Sequence, residues 1–115
     1  MVLKMKFGHY ELHPHNTNQS SFYGKANVKV YIDGANIRHI LTSYDTDVLA
    51  VYVSAGAVTH IERIWTGYSA TTMRHVNELL MQQGFPKLSG HAWRSMEVGK
   101  FYTADDLPVL EKSLN

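Results

Sequence analysis

The sequence predicts an α+β domain in which an antiparallel β-meander of four to five strands packs against one main helix. Two observations predict this fold. From Ala26 to Trp65, short apolar segments are separated by turn signals about every 8–12 residues, which is typical of strands that pair with their sequence neighbours. From Ala70 to Gln83, the apolar residues recur at three- and four-residue spacing, as on one face of an amphipathic helix.

The length and composition indicate one globular domain. The chain has 115 residues, of which 44% are apolar and 18% charged, and its formal net charge is +1. These values are ordinary for a domain that buries its own core. We predict a single domain over 1–115, with a core over 26–98, a peripheral edge strand and loop over 1–25, and a helical tail over 99–115.

Composition also indicates the compartment. The chain has no cysteine, which excludes thiolate zinc sites and cysteine nucleophiles and favours a reducing environment. The segment Met1–Tyr10 alternates lysines with apolar residues and lacks the uninterrupted apolar run of a signal peptide. No apolar run approaches the roughly 20 residues that a membrane span needs. We therefore expect a cytoplasmic protein that does not bind a membrane.

The strand predictions rest on alternation and on turn residues. Asp33-Gly34 is a strong hairpin signal, because glycine tolerates the positive φ that such turns need. Val48–Val53 is a short, continuous apolar run rich in β-branched residues, which predicts a central strand. The remaining predicted strands are an edge strand over Lys4–Leu12, then Ala26–Asp33, Ile37–Leu41 and Val58–Trp65, with His13–Lys25 as a loop.

The main helix has a start signal, a stop signal and two faces. Ser69 is the predicted N-cap, and Gly84 with Pro86 ends the helix. The residues predicted to face the sheet are Met73, Val76, Leu79 and Leu80. The residues predicted to face solvent are Thr71, Arg74, Glu78 and Gln82, with Arg74 and Glu78 close enough to pair.

One or two short helices are predicted after the main helix. Ser89 is a candidate N-cap, and Leu88 with Trp93 fits a hydrophobic staple around it. Asp105 or Asp106 is the predicted cap of a last helical turn. The apolar residues expected on one side of that turn are Leu107, Leu110 and Leu114.

Seven histidines raise the question of a metal site. His9, His13 and His15 are close in sequence, but Glu11 is the only carboxylate near them. A purposeful site needs further converging ligands and groups that orient them. We therefore expect no metal ion and no cofactor, and interpret this stretch as a polar loop.

His75 is the candidate base of a catalytic site, because Thr71 and Thr72 precede it by four and three residues on the main helix. A nucleophile–base pair needs an orienting group, and only Asp45 or Asp47 is a candidate for that role. The simpler interpretation has the threonines satisfy backbone groups at the helix start. His75 would then be half-buried against the sheet, and we favour this interpretation.

Five aromatic residues fall on or beside the predicted sheet. If several share a solvent-exposed face, they would form a stacking platform for single-stranded nucleic acid or a protein interface. The third alternative is that they pack in the core. Arg63 is the only cation between His39 and Arg74, which counts against nucleic acid. The five residues are Tyr31, Tyr44, Tyr52, Trp65 and Tyr68.

Two sequence segments carry a resemblance to a known group of proteins. They are SYDTDV over Ser43–Val48 and RIWTGYSATTMRHVNELL over Arg63–Leu80, followed by Leu88-Ser89, Trp93 and Met96-Glu97. Over about Ile37 to Val98 the chain resembles a family of small uncharacterised proteins from phages, plasmids and other mobile elements of Gram-positive bacteria. The resemblance implies a lineage in which small proteins often bind host or phage macromolecules, and it implies no catalytic residue.

From these observations we expect a non-enzymatic binding module of a mobile element that acts by protein–protein contact. An inhibitor of a host defence system is one form of such a module, and a homodimer is another outcome of exposed strand edges. The alternative is a small nucleic-acid-binding accessory protein, followed by a hydrolase built around His75. The residues predicted to form the binding surface are Tyr44, Arg63, Trp65, Tyr68, Thr71, Thr72 and His75.

Overall fold

A computed structural model of the chain describes residues 6–15, 22 and 24–112, and the statements below concern those residues. Its strands are β1 (Lys6–Glu11), β2 (Ala26–Asp33), β3 (Asn36–Ser43), β4 (Thr46–Ser54), β5 (Ala57–Arg63) and β6 (Phe101–Tyr102). Its helices are α1 (Ala70–Gln82), α2 (Gly90–Ser95) and α3 (Leu107–Lys112), with a short 3-10 turn over Ala104–Asp106. None of these helices is long and apolar enough to cross a bilayer.

The strands form one sheet in the order β1-β2-β3-β4-β5-β6, and every neighbouring pair is antiparallel. The predicted α+β fold with a β-meander and one main helix is therefore confirmed. The sheet has six strands instead of four to five. The extra strand, β6, is two residues long, which is too short to show any periodicity in the sequence.

Three tight turns join the four central strands. Gly34 has φ 63° in the first, as the Asp33-Gly34 signal predicts, and Ala55 and Gly56 have φ 53° and 82° in the third. Tyr44 has φ 59° in the second turn, between β3 and β4. A left-handed backbone costs a bulky residue about 1–2 kcal/mol. The Tyr44 amide donates a hydrogen bond to the Lys25 carbonyl at 2.6 Å, which helps to hold Tyr44 in this conformation.

Helix α1 begins and ends as the sequence predicts. The Ser69 hydroxyl accepts a hydrogen bond from the Thr72 amide at 3.0 Å, so Ser69 is the N-cap. At the other end, Gly84 has φ 76° and its amide reaches the carbonyl of Met81. The predicted apolar face is buried against β3 and β4, and its members are Met73, Val76, Leu79 and Leu80.

The prediction for Glu78 is wrong, because this residue is 2% exposed and not on a solvated face. Its carboxylate accepts a hydrogen bond from Gln82 at 2.9 Å, and the same Gln82 amide group donates to the carbonyl of His13. Arg74 bonds to Thr71 at 3.2 Å and does not pair with Glu78. The N-terminal segment lies against this flank of the helix, which a 3.6-residue period cannot reveal.

The core takes in more of the chain than residues 26–98. Leu12 and Phe22, from the predicted peripheral segment, are 0% and 1% exposed and belong to the main hydrophobic cluster. Leu107 and Leu110, from the predicted tail, belong to the same cluster, while the predicted third member, Leu114, lies outside the described residues.

The short C-terminal elements follow the predicted capping logic with one change. Ser89 caps α2 by accepting from the Ala92 amide, and Trp93 is fully buried. Before α3, the cap is Thr103, while Asp106 accepts from the Thr103 amide at 2.7 Å and completes a capping box.

The strand register separates two faces of the sheet. Helices cover the inner face, which carries Val28, Leu41, Leu49 and Ile61. The helices do not reach the far end of this face, where His39 is half-buried beside Tyr10. The Nδ1 atom of His39 is buried and has no hydrogen-bond partner within the described residues. Burial lowers the pKa of His39 from its ordinary value of 6.5.

The lowered pKa of His39 predicts that acidification destabilises the fold. As the pH falls through about 6.5, His39 takes up a proton in the unfolded chain before it does so in the folded chain. The stability associated with a neutral His39 is therefore present above that pH and is lost below it. We expect the free energy of unfolding to decrease between about pH 7 and pH 5, and to decrease less in a His39→Leu variant. The free energy of unfolding is measured by urea denaturation at several pH values across this range. His9→Asn, at an exposed position, is the control, and equal pH slopes for His39→Leu and wild type would contradict the prediction.

Candidate functional site

A cavity of about 300 Å³ lies where the sheet meets the start of α1, and we call it the junction cavity. Its lining comes from the end of β3, the β3–β4 turn, the loop that follows β5, and the first turn of α1. The lining residues are Ser43, Tyr44, Thr46, Val48, Trp65, Tyr68, Ser69 and Thr72. Four of the seven residues predicted to bind a partner therefore meet around one cavity.

The rim of the junction cavity is aromatic. Tyr44 and Tyr68 are 54% and 46% exposed, and Trp65 is half-buried between them and the core. Two glycines make room for these rings. A Cβ atom on Gly67 would lie 2.3 Å from the Trp65 indole, and one on Gly90 would lie 2.9 Å from the Tyr68 ring. The rim thus depends on backbone approaching aromatic rings more closely than any other residue type allows.

Arg63, at the end of β5, holds the frame behind the cavity. Its side chain is buried, and each of its five N–H donors meets a carbonyl oxygen. The Nε atom donates to Trp65 at 2.8 Å, Nη1 donates to Trp93 and Met96 at 3.0 and 2.9 Å, and Nη2 donates to Thr66 and Gly67 at 2.7 and 3.2 Å. The guanidinium also lies 4.8 Å from the centre of the Trp93 ring.

This cage joins two segments that are far apart in sequence. Three of the carbonyls belong to the loop between β5 and α1, and two belong to the C-terminal end of α2, where helix carbonyls lack partners and attract a cation. The Trp93 indole N–H adds a bond to the Gly67 carbonyl at 2.9 Å. Burial lowers the pKa of Arg63, and Tyr102 opposes that change. An arginine nevertheless stays charged at neutral pH.

A β-bulge supplies part of the cavity wall. Leu41 pairs with Leu49 and Thr42 pairs with Asp47, so Val48 is the extra residue of β4. Its side chain turns inward and lines the cavity. Its carbonyl accepts from the amides of Ile64 and Trp65 at 2.8 and 3.1 Å, which anchors the start of the loop that carries Trp65.

Below the cavity lies a buried polar network. The Ser43 hydroxyl is 2.8 Å from Nδ1 of His75 and 3.2 Å from the Thr72 hydroxyl. The Phe22 ring covers His75 edge-on at a centroid distance of 4.7 Å. His75 is fully buried, which is deeper than the half-buried position expected from the sequence. Thr72 joins this network, while Thr71 accepts from Arg74 on the helix surface.

The carboxylates considered as orienting groups lie elsewhere. Asp47 bonds to Lys29 at 3.0 Å and to Thr42 at 2.7 Å, on the face of the sheet away from His75. Burial raises its pKa, but the Thr42 and Lys29 hydrogen bonds and the Lys29 charge outweigh that effect and lower it. Asp45 is in the exposed turn, where it accepts from Thr46. Neither residue orients His75.

The seven predicted residues therefore divide into three groups. Tyr44, Trp65, Tyr68 and Thr72 line the cavity; Arg63 and His75 support it from within the core; Thr71 faces away. Sequence reasoning missed four lining residues of the cavity, which are Ser43, Thr46, Val48 and Ser69. Alternate residues of β3, Leu41 and Ser43, point inward, so this alternation could have indicated that Ser43 faces the cavity. A β-bulge leaves no sequence signal that could have indicated the position of Val48.

The five aromatic residues considered above do not share one face. Tyr31 and Tyr52 lie on the outer face of the sheet, away from the junction cavity. Phe7 stacks on Tyr31 with a centroid distance of 5.0 Å. Tyr52, His60 and Phe101 form a second group, with Tyr52 and His60 stacked at 4.4 Å. The protein thus carries two aromatic surfaces, and the stacking platform cannot include all five residues.

The histidines near the N-terminus do not converge. Within residues 6–15, 22 and 24–112, no group of three or more metal-ligating side chains comes together. His9 lies exposed on the outer face of β1, and His13 and His15 are exposed beyond its end.

Replacing Arg63 tests the carbonyl cage. Arg63→Lys offers three donors from one atom and cannot reach five carbonyls arranged around a planar fork. Each buried acceptor left without a partner costs about 1–3 kcal/mol. We therefore expect the free energy of unfolding, measured by urea denaturation, to fall by about 3 kcal/mol or more.

Arg74→Lys is the matched control, because Arg74 is exposed and makes one side-chain bond. It should change stability by at most about 0.5 kcal/mol. An Arg63→Lys variant as stable as this control would show that the cage does not stabilise the junction.

Comparison with known proteins gives a family and no activity. The profile of a family of unknown function, DUF8033, matches residues 10–95, which include the junction cavity and its supporting core. No curated protein matches the chain, and no solved structure matches it. Because the match covers well over half of the sequence, the chain belongs to the DUF8033 family.

Proposed function

We propose that this protein is a non-enzymatic binding module that acts by protein–protein contact through the rim of the junction cavity. One observation carries the proposal: two tyrosines, 54% and 46% exposed, flank a cavity behind which Arg63 is buried with all five donors hydrogen-bonded. Tyrosine and tryptophan are enriched in protein interfaces, where a large ring fills a recess and a hydroxyl stays near water.

Rigidity is the second support. Ordering flexible side chains and loops on binding opposes association, so a contact surface held in place before binding gains affinity. The Arg63 cage, the Val48 carbonyl and the Ser69 cap all act on the segment that carries Trp65 and Tyr68. The guanidinium of Arg94, 4.6 Å from the centre of the Tyr68 ring, restricts that ring further.

Tyr44 adds a third support. It is exposed, yet its backbone has φ 59°, which asparagine or glycine would adopt at lower cost. A strained, exposed aromatic residue at a cavity rim is typical of positions where stability is given up for contact. The ring is also 6.1 Å from His75, so the network below the cavity supports it.

The partner that we propose is a host or phage protein. This follows from the resemblance to small proteins of phages, plasmids and mobile elements, in which an inhibitor of a host defence system is one form. A mimic of DNA is a poor alternative, because a formal net charge of +1 cannot imitate a phosphate backbone. The proposal places the protein in the cytoplasm.

The proposal predicts that single rim substitutions abolish capture without unfolding the chain. Tagged protein is used to capture partners from the native host lysate, with and without nuclease treatment. We expect Tyr44→Ala and Tyr68→Ala to weaken capture at least about tenfold, as interface hot spots do, and to keep a cooperative thermal transition.

The control for rim substitutions is Phe7→Ala. Phe7 is 58% exposed, but it lies on the outer face of the sheet. The Phe7→Ala variant should capture the same nuclease-insensitive protein as the wild-type chain. Loss of capture in Phe7→Ala with retention in both tyrosine variants would move the contact to the other surface and refute the proposal.

Nucleic-acid binding is the second candidate function, because Arg38 lies 4.7 Å from the Tyr31 ring on the outer face. The charges on this face oppose it. Lys29 is already paired with Asp47, and Glu62 bonds to the Tyr52 hydroxyl at 2.9 Å. Arg63, counted among the cations in the sequence, is buried.

We therefore predict weak binding of single-stranded oligonucleotides. Each phosphate contact contributes a log–log salt slope of about −0.7, and among residues 6–15, 22 and 24–112 the outer face offers the two cations Lys29 and Arg38 near its aromatic residues. Fluorescence anisotropy with labelled single- and double-stranded oligonucleotides, at low and at physiological salt, measures the affinity. Submicromolar binding at physiological salt would rank nucleic acid above protein as the partner.

A further inference from the structure

The outer face of the sheet has no helix packed on it in the described part of the chain, although it carries large apolar rings. Phe7 at one edge and Phe101 at the other are 58% and 57% exposed. Single exposed apolar residues are ordinary, but a band of rings across a whole sheet marks a contact surface.

The strand register orders this face into two central rows. In the first row, Tyr31, Arg38, Tyr52 and His60 are neighbours from β2 to β5. In the second row, Lys29, Ile40, Ala50 and Glu62 are neighbours from β2 to β5. The cations of these two rows are Lys29 on β2 and Arg38 on β3, and their carboxylate is Glu62 on β5.

These rows are complementary to themselves. Consider a two-fold axis that runs parallel to the strands between β3 and β4, with a second sheet stacked on the outer face. The axis places β3 over the partner's β4, and β2 over its β5. Lys29, which also pairs with Asp47 in its own chain, then faces the partner's Glu62, which also accepts from Tyr52. Arg38 faces the partner's Tyr52. Ile40 lies near the axis over the partner's Ala50, which is itself covered by its neighbours. Opposite charges thus meet on either side of an apolar centre, as an isologous interface requires.

The size of the face also suits a dimer. Five strands of six to nine residues and the two-residue β6, about 4.8 Å apart, present a face of roughly 24 by 24 Å. With the relief of its side chains this approaches the roughly 800 Å² per partner that a stable interface buries. Two sheets pack in this way about 10 Å apart, with strands inclined by about 30°.

We propose that the outer face binds a second copy of this chain, giving a two-fold dimer in which the two sheets stack face to face. The recess of about 360 Å³ between Tyr31, Arg38, Tyr52 and His60 then receives side chains of the opposing copy. This inference does not depend on the contact proposed for the junction cavity.

Charge reversal tests the dimer, because Lys29 and Glu62 are three strand spacings apart in one chain, about 14 Å, and cannot form a close pair there. Lys29→Glu and Glu62→Lys each place like charges opposite one another across the axis. We expect the wild-type chain to sediment as a dimer, and each variant alone to dissociate at least about tenfold more readily.

Mixing the two variants gives the decisive result. A heterodimer of Lys29→Glu with Glu62→Lys restores both attractive pairs, although neither chain regains its own. We expect sedimentation and native mass spectrometry of the mixture to show recovery of the dimer as the heterodimer. Arg74→Glu, on the exposed side of α1, is the control and should leave the dimer unchanged, as should Tyr44→Ala at the junction cavity.

A second measurement guards against loss of fold in Lys29→Glu, whose new carboxylate lies beside Asp47. The chain has no cysteine, so Ile40→Cys introduces a single thiol at a half-buried position near the proposed axis. A bismaleimide linker that spans about 10 Å, the distance between stacked sheets, should join two Ile40→Cys chains. Thr71→Cys, on α1, should not be joined.

The proposal is overturned by a wild-type chain that stays monomeric at high micromolar concentration, or by a dimer insensitive to both reversals. A mixture that does not recover, or cross-linking no better at Ile40 than at Thr71, overturns it as well. Capture of single-stranded oligonucleotide by the outer face of a monomeric chain also overturns it, and assigns that face to nucleic acid.

Discussion

The arrangement of the second half of the domain depends on one buried cation. Arg63 ends β5, and its five donors are all taken by carbonyl oxygens of the following loop and of α2. A charge is tolerated in the core only when every polar atom around it is satisfied. The loop and the helix end must therefore keep their positions together, because moving either one leaves donors of Arg63 and several carbonyls without partners. Trp93 reinforces this by bonding to the loop and lying under the guanidinium.

The first half of the domain is organised by local interactions instead. Three two-residue turns join the four strands β2 to β5, and each turn begins with a residue of positive φ. The geometry of such a hairpin is set mainly by residues that are close together in sequence. The junction cavity lies at the boundary between these two halves of the domain. One wall is the strained turn at Tyr44, which belongs to the meander, and the other is the loop that Arg63 fixes. A partner bound in the cavity would therefore contact both halves of the fold.

This division also explains what could be predicted from the sequence. The turn at Gly34, the cap at Ser69 and the apolar face of α1 are local features, and the residues involved lie within a few positions of one another. The solvated position predicted for Glu78 was wrong because the N-terminal segment, some sixty residues away, lies against that flank. Arg63 was identified as important but interpreted as a surface residue, since its acceptors are backbone atoms that carry no signal in the sequence. Tyr44, Trp65 and Tyr68 marked the junction of sheet and helix in the sequence, and no sequence feature indicated a cavity there.

The two aromatic surfaces are linked through strand register. Alternate residues of a strand point to opposite faces, so Arg38 lies on the outer face because His39 and Leu41 lie on the inner one. The bulge at Val48 breaks this alternation at one place, so that Val48 and Leu49 both point inward. Beyond the bulge Asp47 returns to the outer face, where it pairs with Lys29. One inserted residue thus supplies a wall and a carbonyl anchor to the junction cavity while leaving the outer rows in register. Because the sheet separates the two surfaces, the two contacts proposed above, one with a different protein and one with a second copy, use different residues.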